Sequence, residues 1–283
     1  MSPFDAKATG HTKQLWGDDM YGLVLEGGGS RGAYQAGACK AIKEMGLEIG
    51  MVAGCSVGAL NGAMVVQGDT DRAYDVWYNI DPASVIDFSG SGLAGYAENG
   101  SRPESLRDLA RKIKKIIADG GLNVAPLEKL VKDALDEALI RESKIGFGVV
   151  TVDLTKRKGI EIYKENIPYG QLADYVIASA SFPVFKRTII DGRSFIDGGL
   201  YNVLPVNLVS DKGFKSIIAI RTYGLGLKRR FKRNSLNITS ISPSESLGST
   251  MDFTNKTARR NLKLGYEDAC RVLEKLAGEP AYE

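Results

Sequence analysis

The stretch VAGCSVGALNGA, residues 52–63, contains the pattern Gly-x-Ser-x-Gly. This pattern is typical of a nucleophilic serine on a sharp turn between a strand and a helix. An apolar run that predicts a buried strand precedes it, and small residues from about Val57 onward predict a helix. Gly54 and Gly58 are the small neighbours that such a crowded turn needs. Ser56 is therefore a candidate nucleophile, with the free amides of the helix start facing its oxygen.

A nucleophilic serine usually passes its proton to a histidine. The chain has one histidine, His11, and it lies in a polar N-terminal stretch. Cys55 is an alternative nucleophile, but it does not hold the central position of the turn, so we interpret it as a small buried residue. A glycine-rich turn with a chance serine is the alternative to a catalytic role for Ser56.

A second glycine-rich stretch, EGGGSRG at residues 26–32, follows another predicted strand. Gly27, Gly29 and Gly32 match the dinucleotide-binding pattern Gly-x-Gly-x-x-Gly, and Glu48 follows at about the distance of a ribose-binding acid. Consecutive glycines at a helix start also expose backbone amides that can hold an oxyanion. A tight turn without a ligand is the third alternative.

Two further motifs lie in the second half of the chain. The triplet Asp197-Gly198-Gly199 follows a predicted strand, which puts the carboxylate at an edge of the sheet, although Asp-Gly is also a common turn dipeptide. The segment ASASFP, residues 178–183, follows a predicted helix. It is interpreted either as a chain reversal packed near the site or as a plain helix terminator.

The order of predicted elements indicates an α/β fold. Strand, turn and helix occur twice within about 45 residues, which is the rhythm of a parallel sheet. Residues 69–140 differ in character, and they predict a helical cap or side layer with amphipathic helices at 103–119 and 126–140. Further elements are predicted after this region: strands at 144–154, 159–165 and 215–224, helices at 171–180 and 252–276, and a hairpin whose turn is Asp191-Gly192.

Composition narrows the class of protein. The chain has 283 residues, of which 43% are hydrophobic and 25% charged, which is typical of a folded globular protein. The net charge of +3 does not by itself indicate nucleic-acid binding, and no apolar run approaches the ~20 residues of a membrane span. We expect a flexible arm at 1–19 and a single catalytic domain at 20–283.

The expected location is the cytoplasm. The three cysteines lack metal-type spacing and do not suggest a disulfide framework, and the N-terminal residues lack the apolar core of a signal peptide. The basic loop KRRFKRN, residues 228–234, is a candidate contact for anionic lipid surfaces. A solvated surface loop is the alternative.

The ordered set GGGSRG, GCSVG and DGG, together with ASASFP, resembles the patatin-like phospholipases over roughly residues 20–275. The resemblance implies a three-layer α/β/α fold with a mainly parallel central sheet. It implies a catalytic dyad of Ser56 and Asp197 without histidine, and hydrolysis of phospholipids or other acyl lipids through an acyl-serine intermediate. It implies neither a metal nor an organic cofactor. The small net charge gives no reason to expect a nucleic-acid partner, and the basic loop is the reason to expect a peripheral contact with membranes.

The resemblance also assigns the oxyanion hole to backbone amides of Gly28, Gly29 and Ser30, with Arg31 close by. Arg31 and Val57, at the start of the helix after Ser56, complete the set of candidate residues for this hole. Two roles stay open for Arg31, pairing with a lipid phosphate or a structural ion pair. An aspartate with an ordinary pKa near 3.9 is a weak base for a serine hydroxyl, so partial burial is expected to raise the pKa of Asp197. The rival function, a dinucleotide-dependent oxidoreductase, leaves the serine turn and the later DGG triplet unexplained.

Overall fold

The computed structural model describes residues 20–85, 111, 114–115, 118–231 and 236–278. The predicted arm, His11 and most of the helix expected at 103–119 lie outside the described residues.

One eight-stranded sheet forms the centre of the described fold. Apolar runs rich in Val, Ile and Leu form its inner strands, because both faces of a mostly parallel sheet are covered. The strands are β1 (Tyr21–Leu25), β2 (Ile49–Cys55), β3 (Gly146–Asp153), β4 (Lys158–Tyr163), β5 (Thr188–Ile190), β6 (Arg193–Asp197), β7 (Ser216–Ile220) and β8 (Asn237–Ile241).

The strands are ordered β5-β6-β3-β2-β1-β7-β8, and β4 pairs with β3 outside this path. All pairs from β3 through β2, β1 and β7 to β8 are parallel, whereas β4, β5 and β6 form the antiparallel pairs. The carboxyl ends of β1 and β2 therefore meet at one edge, where the two glycine-rich turns lie side by side. The mainly parallel sheet that the motifs predicted is confirmed.

The hairpin between β5 and β6 is also confirmed. Asp191 and Gly192 have φ angles of 48° and 72°, the left-handed pair that a tight hairpin turn requires. Strand β8 was not predicted, because its sequence NITSI has too few large apolar residues to stand out. It joins the sheet by pairing in parallel with β7.

Eight α-helices accompany the described part of the sheet. They are α1 (Gly32–Glu44), α2 (Val57–Val66), α3 (Thr70–Tyr78), α4 (Ala125–Ala134), α5 (Glu137–Glu142), α6 (Leu172–Ser179), α7 (Val206–Ser210) and α8 (Asn255–Gly278). Residues of α1, α2, α6 and α8 pack on one face of the sheet in the largest apolar cluster. The other face is covered by the segment 203–209, which contains α7.

The helix predicted over 126–140 is wrong as a single element. It is broken between α4 and α5, where Leu135 has the extended angles φ −98° and ψ 128°. The side chain of Asp136 accepts a hydrogen bond from the amide of Leu139 and so begins the next helix. Its own amide donates to Oε1 of Gln67 at 3.0 Å. Apolar spacing alone did not reveal this cap.

Among the described helices, none combines the length and apolar character needed to cross a membrane.

Candidate active site

Ser56 sits on a strained turn between β2 and α2. Its φ of 56° is unusual for a residue with a side chain, and such strain is often found at functional sites. A Cβ atom on Gly54 would lie 2.1 Å from the carbonyl oxygen of Gly58, and one on Gly58 would lie 2.3 Å from that of Leu25. The amide of Ser56 donates to Oγ of Ser179 at 2.8 Å. Glycine at both flanks and this hydrogen bond hold the turn in place.

The sheet register brings Asp197 to the same edge. Cys55, the last residue of β2, pairs with Val150 of β3. The next residue of β3, Thr151, pairs with Asp197 at the end of β6. Ser56, directly after β2, and Asp197, at the end of β6, are far apart in sequence but therefore lie on either side of β3. Both residues line the same pocket, and the Ser56 side chain lies close enough to the Asp197 carboxylate to lower its pKa.

The carboxyl group of Asp197 is buried, with only 5% of the residue exposed. Burial raises its pKa to about 6, although hydrogen bonds from the Gly199 amide and the Ser56 side chain act in the opposite direction. The Gly199 amide donates to Oδ1 of Asp197 at 2.6 Å. This bond orients the carboxylate. The DGG triplet is thus both a turn and the support of its carboxylate.

The segment ASASFP supports both residues. Oγ of Ser179 accepts a hydrogen bond from the amide of Ser56, and the carbonyl oxygen of Ser181 accepts one from the amide of Asp197 at 2.9 Å. The Ser181 hydroxyl is itself anchored to the carbonyl of Ile177 and lies 2.6 Å from the hydroxyl of Thr188. The segment ends a helix, as the simpler prediction held, and it also positions the two candidate residues.

The glycine-rich loop offers fewer free amides than the resemblance implied. The amide of Ser30 donates to the carbonyl of Thr250 at 2.9 Å, and that of Arg31 donates to Gly28 at 3.2 Å. Neither is free to bind an oxyanion, so their assignment to the hole is corrected. Within the described chain, the amides of Gly28 and Gly29 have no hydrogen-bond partner, and both residues line the pocket that contains Ser56.

Val57 offers a further amide. It is the first residue of α2, where backbone N–H groups have no partner within the helix. It lines the same pocket, beside Ser56.

The side chain of Arg31 connects two loops that are distant in sequence. Its guanidinium donates to the carbonyl oxygens of Gly248 (3.1 Å and 2.8 Å), Thr222 (3.0 Å) and Tyr223 (2.9 Å). The predicted ion pair of Arg31 is corrected, because the partners are backbone carbonyls rather than a carboxylate. Four of the five N–H donors are already used, which leaves one for a lipid phosphate.

Glu26 is a buried acid of the site that the sequence motifs did not predict. It directly follows β1, is fully buried, and accepts hydrogen bonds from the amides of Thr222 (2.8 Å) and Tyr223 (2.9 Å). Burial acts to raise its pKa, but the hydrogen bond and charge of Arg221, the Thr222 amide and the charge of Lys228 hold the pKa below its ordinary value. An acid directly after a buried strand was the signal, since a buried charge needs partners.

The position of Glu48 contradicts the dinucleotide interpretation. Glu48 is exposed and precedes β2, whereas the glycine-rich loop follows β1. The two strands are parallel, so Glu48 lies at the edge of the sheet opposite the loop. A ribose-binding acid belongs at the carboxyl end, beside the glycine turn.

Cys55 is fully buried, and burial raises the pKa of its thiol well above the ordinary value, with the charges of Asp197 and Glu26 acting in the same direction. A protonated, buried thiol is a poor nucleophile, in agreement with the prediction of a packing residue.

An apolar pocket opens beside Ser56 and follows α2. Ser56, Leu60 and Met64 line it at successive turns, so it extends about 12 Å along the helix at 1.5 Å per residue. Met64, Ala73 and Ala134 form a small buried cluster in this direction. The remaining walls are mostly apolar and come from α3, α4 and loops, for example Trp77, Leu127, Leu130, Phe182, Phe185 and Phe253.

No group of three or more His, Cys, Asp or Glu side chains that could hold a metal ion occurs among the described residues.

The sequence matches the family model "Patatin-like phospholipase" over residues 23–209. Patatin-like phospholipase domain-containing protein 7 of Rattus norvegicus is 28% identical over 201 residues, which are 70% of this chain and 13% of the relative. Neuropathy target esterase sws of Drosophila melanogaster is 28% identical over 207 residues, 70% of this chain and 12% of the relative. The chain thus matches only about an eighth of the length of these relatives.

Two solved structures have a similar fold. VipD from Legionella pneumophila superposes with a TM-score of 0.55 at 16% identity, covering 92% of this chain and 68% of that one. Human GIVD cytosolic phospholipase A2 superposes with a TM-score of 0.50 at 11% identity, covering 94% and 61%. The family match covers about two thirds of the sequence and includes both glycine-rich turns and Asp197. This chain belongs to the patatin-like phospholipase family.

Proposed function

We propose that the protein is a serine hydrolase that cleaves carboxylic esters of lipids, with Ser56 as nucleophile and Asp197 as its base. One observation carries the proposal: a serine on a strained turn shares an apolar pocket with a buried aspartate whose pKa is raised to about 6. A carboxylate with an ordinary pKa would be a much weaker base near neutral pH.

In the first step, Oγ of Ser56 attacks the ester carbonyl carbon while its proton passes to the carboxylate of Asp197. The carbonyl oxygen becomes an oxyanion, and the amides of Gly28, Gly29 and Val57 are the proposed donors to it. One such donor typically contributes ~3 kcal/mol to transition-state stabilisation. The positive end of α2 favours the same charge.

The tetrahedral intermediate then collapses. The bond to the leaving alcohol breaks, and Asp197 returns the proton to that alcohol, which leaves an acyl group on Ser56. A water molecule attacks this ester as Asp197 takes one of its protons, and the same proton returns to Ser56 as the free acid is released. Asp197 therefore acts as base and acid in each half of the reaction.

The substrate class follows from the pocket walls. Apart from a few polar residues that include Ser56 and Asp197, the lining is largely apolar, and Leu60 and Met64 continue it along α2. Burying an acyl chain there contributes about 0.8 kcal/mol per methylene group. We therefore propose acyl lipids, phospholipids and lysophospholipids included, as substrates. A cytoplasmic location stays a prediction.

A fluorophosphonate probe tests this function directly, because it reacts with activated serines. Mass spectrometry is expected to find the label on Ser56, and both labelling and ester cleavage are expected to vanish in Ser56→Ala. Ser210→Ala, on α7 and outside the pocket, is the control that keeps both. Labelling at another residue, or substantial turnover by purified, folded Ser56→Ala, would refute the proposed nucleophile.

A binding measurement distinguishes the oxidoreductase alternative from the proposed hydrolase. If it held, NAD or NADP would raise the melting temperature of the protein. We expect neither to do so, because Glu48 lies at the wrong edge of the sheet.

A further inference from the structure

A strip of large apolar side chains is exposed on the loop that follows β7. Tyr223 is 55% exposed, Leu225 82% and Leu227 64%. Single exposed apolar residues are common, but a contiguous group marks an interaction surface. We call Tyr223, Leu225 and Leu227 the apolar strip.

The glycines between these residues explain why the strip faces outward. A Cβ atom on Gly224 would lie 1.8 Å from the carbonyl oxygen of Gly27, and one on Gly226 would lie 2.6 Å from that of Gly199. The inward positions therefore lie directly on the glycine-rich loop and on the DGG turn. These backbone contacts leave the large side chains of the strip on the outer side of the loop, in agreement with their exposure.

Hydrogen bonds hold the strip in this position. The amide of Leu227 donates to the carbonyl of Gly199 at 2.8 Å, and its carbonyl accepts the amide of Val203 at 2.7 Å. The amide of Tyr223 is bound by the buried carboxylate of Glu26. Because the backbone is already fixed, little conformational entropy is lost when a partner covers the side chains.

The strip borders the mouth of the candidate active site. Leu225 lines the pocket that contains Ser56 and Asp197. Leu200, three residues after Asp197, is a further exposed apolar residue, and Phe182, which lines the pocket, is 36% exposed. A partner that covers the strip therefore faces the pocket entrance.

Positive charge flanks the strip. Lys228, Arg229 and Arg230 follow directly and are exposed. Lys228 pairs with Glu26 and Arg229 with Glu161, and their side chains stay 47% and 43% exposed. Arg230 has no ion pair among the described residues. Apolar groups next to cations fit an anionic lipid surface, where each Lys or Arg adds to the attraction.

We propose that the apolar strip and the cations that follow it dock on an anionic lipid surface and set the pocket mouth against it. The proposal rests on the proposed function only in the use of that mouth; the docking itself does not require Ser56. It differs from the sequence prediction, in which the basic loop alone made the contact.

Vesicle co-sedimentation tests the docking surface. The vesicles consist of phosphatidylcholine, with or without phosphatidylserine, and the protein is Ser56→Ala, so that no lipid is consumed. Changing Tyr223 and Leu227 together to serine is expected to weaken binding on the order of thirtyfold, from the loss of their apolar area. Binding is also expected to fall without phosphatidylserine and at high salt.

The chain offers a matched control. Tyr169 is 80% exposed and Ile189 62%, and neither lines the pocket. Arg141 lies over the Tyr169 ring at 5.3 Å, much as Arg221 lies over Tyr223 at 5.2 Å. Changing Tyr169 and Ile189 to serine removes a similar apolar area elsewhere and is expected to leave vesicle binding unchanged.

Activity separates this proposal from the proposed function. With Ser56 restored, the Tyr223→Ser/Leu227→Ser protein is expected to cleave a monomeric water-soluble ester normally and vesicle lipids slowly. Unchanged vesicle binding, an equal loss in the control pair, or equal binding to neutral vesicles would overturn the docking surface. The docking surface would also be overturned if the Tyr223→Ser/Leu227→Ser protein lost self-association but kept its binding to vesicles. If the parent protein binds vesicles but cleaves none of the esters, only the proposed function is refuted.

Discussion

The pH dependence of ester cleavage should follow the ionisation of Asp197. As a base it must be ionised, and burial raises its pKa from 3.8 to about 6. At pH 5 about 9% of the protein then carries the carboxylate, whereas an unperturbed aspartate would be about 94% ionised. We expect kcat/KM at pH 5 to be about one tenth of its plateau above pH 7.

The assay is hydrolysis of a monomeric chromogenic ester from pH 4 to 9, with the folded fraction checked at each pH. Only one ionisation is expected on the acidic limb, so log kcat/KM should fall with a slope of one. A plateau that continues down to pH 5 would refute the reasoning, because the base would then have an ordinary pKa. Asp197→Asn should be inactive at every pH.

The same carboxyl group should make the protein less stable as the pH rises. Its pKa is higher in the folded state than in the unfolded state, so the stability is fully present below pH 3.8 and is lost as the pH rises through about 6. A difference of about two pKa units corresponds to roughly 3 kcal/mol.

Asp197→Asn removes this penalty while keeping an oxygen for the Gly199 amide. It should therefore raise the free energy of unfolding by up to about 3 kcal/mol at pH 8 and hardly change it at pH 4. Urea unfolding at both pH values measures this. An asparagine variant that is less stable than the parent at pH 8 would show that the burial of the charge costs little.

Two further variants test the surroundings of the site. Arg31→Lys loses the planar fork that contacts three carbonyls, so we expect the free energy of unfolding to fall by about 2–3 kcal/mol. Its activity should fall equally on a matched pair of esters with and without a phosphate. A selective loss on the phosphate-bearing ester would indicate a role of Arg31 in head-group binding. Ala134→Leu places a larger side chain in the pocket beside Met64. We expect kcat/KM for long-chain esters to fall more than tenfold and kcat/KM for short-chain esters to stay unchanged. An equal loss on both would mean that acyl chains do not reach this cluster.

The local motifs of the fold were predictable from the sequence. The serine turn, the glycine-rich loop and the Asp191-Gly192 hairpin each depend on neighbours within a few residues. Their glycines occur where a larger side chain would not fit or where the backbone needs a positive φ. The break between α4 and α5 depends instead on Gln67, which binds the amide of Asp136 from 69 positions away. No local pattern announces such a contact.

The support of the site was also beyond local patterns. Ser30 resembles an oxyanion-hole residue in the motif, but its amide is bound to Thr250, a residue that the fold brings to it. Arg31 was assigned either a phosphate or an acid because charge alone was visible. Its actual partners are carbonyl groups, and every residue has one, so composition gives no signal for them.

Glu26 links the chemistry of the site to its surface. Its buried carboxylate accepts hydrogen bonds from the amides of Thr222 and Tyr223, and so fixes the chain where the apolar strip begins. Lys228, at the other end of the strip, pairs with the same carboxylate at 3.2 Å. Because Glu26 directly follows β1 and is the first residue of the glycine-rich stretch, a single residue connects the proposed oxyanion donors to the proposed lipid-docking surface. Loss of this carboxylate should therefore disturb both together, whereas changes in the strip itself should disturb docking alone.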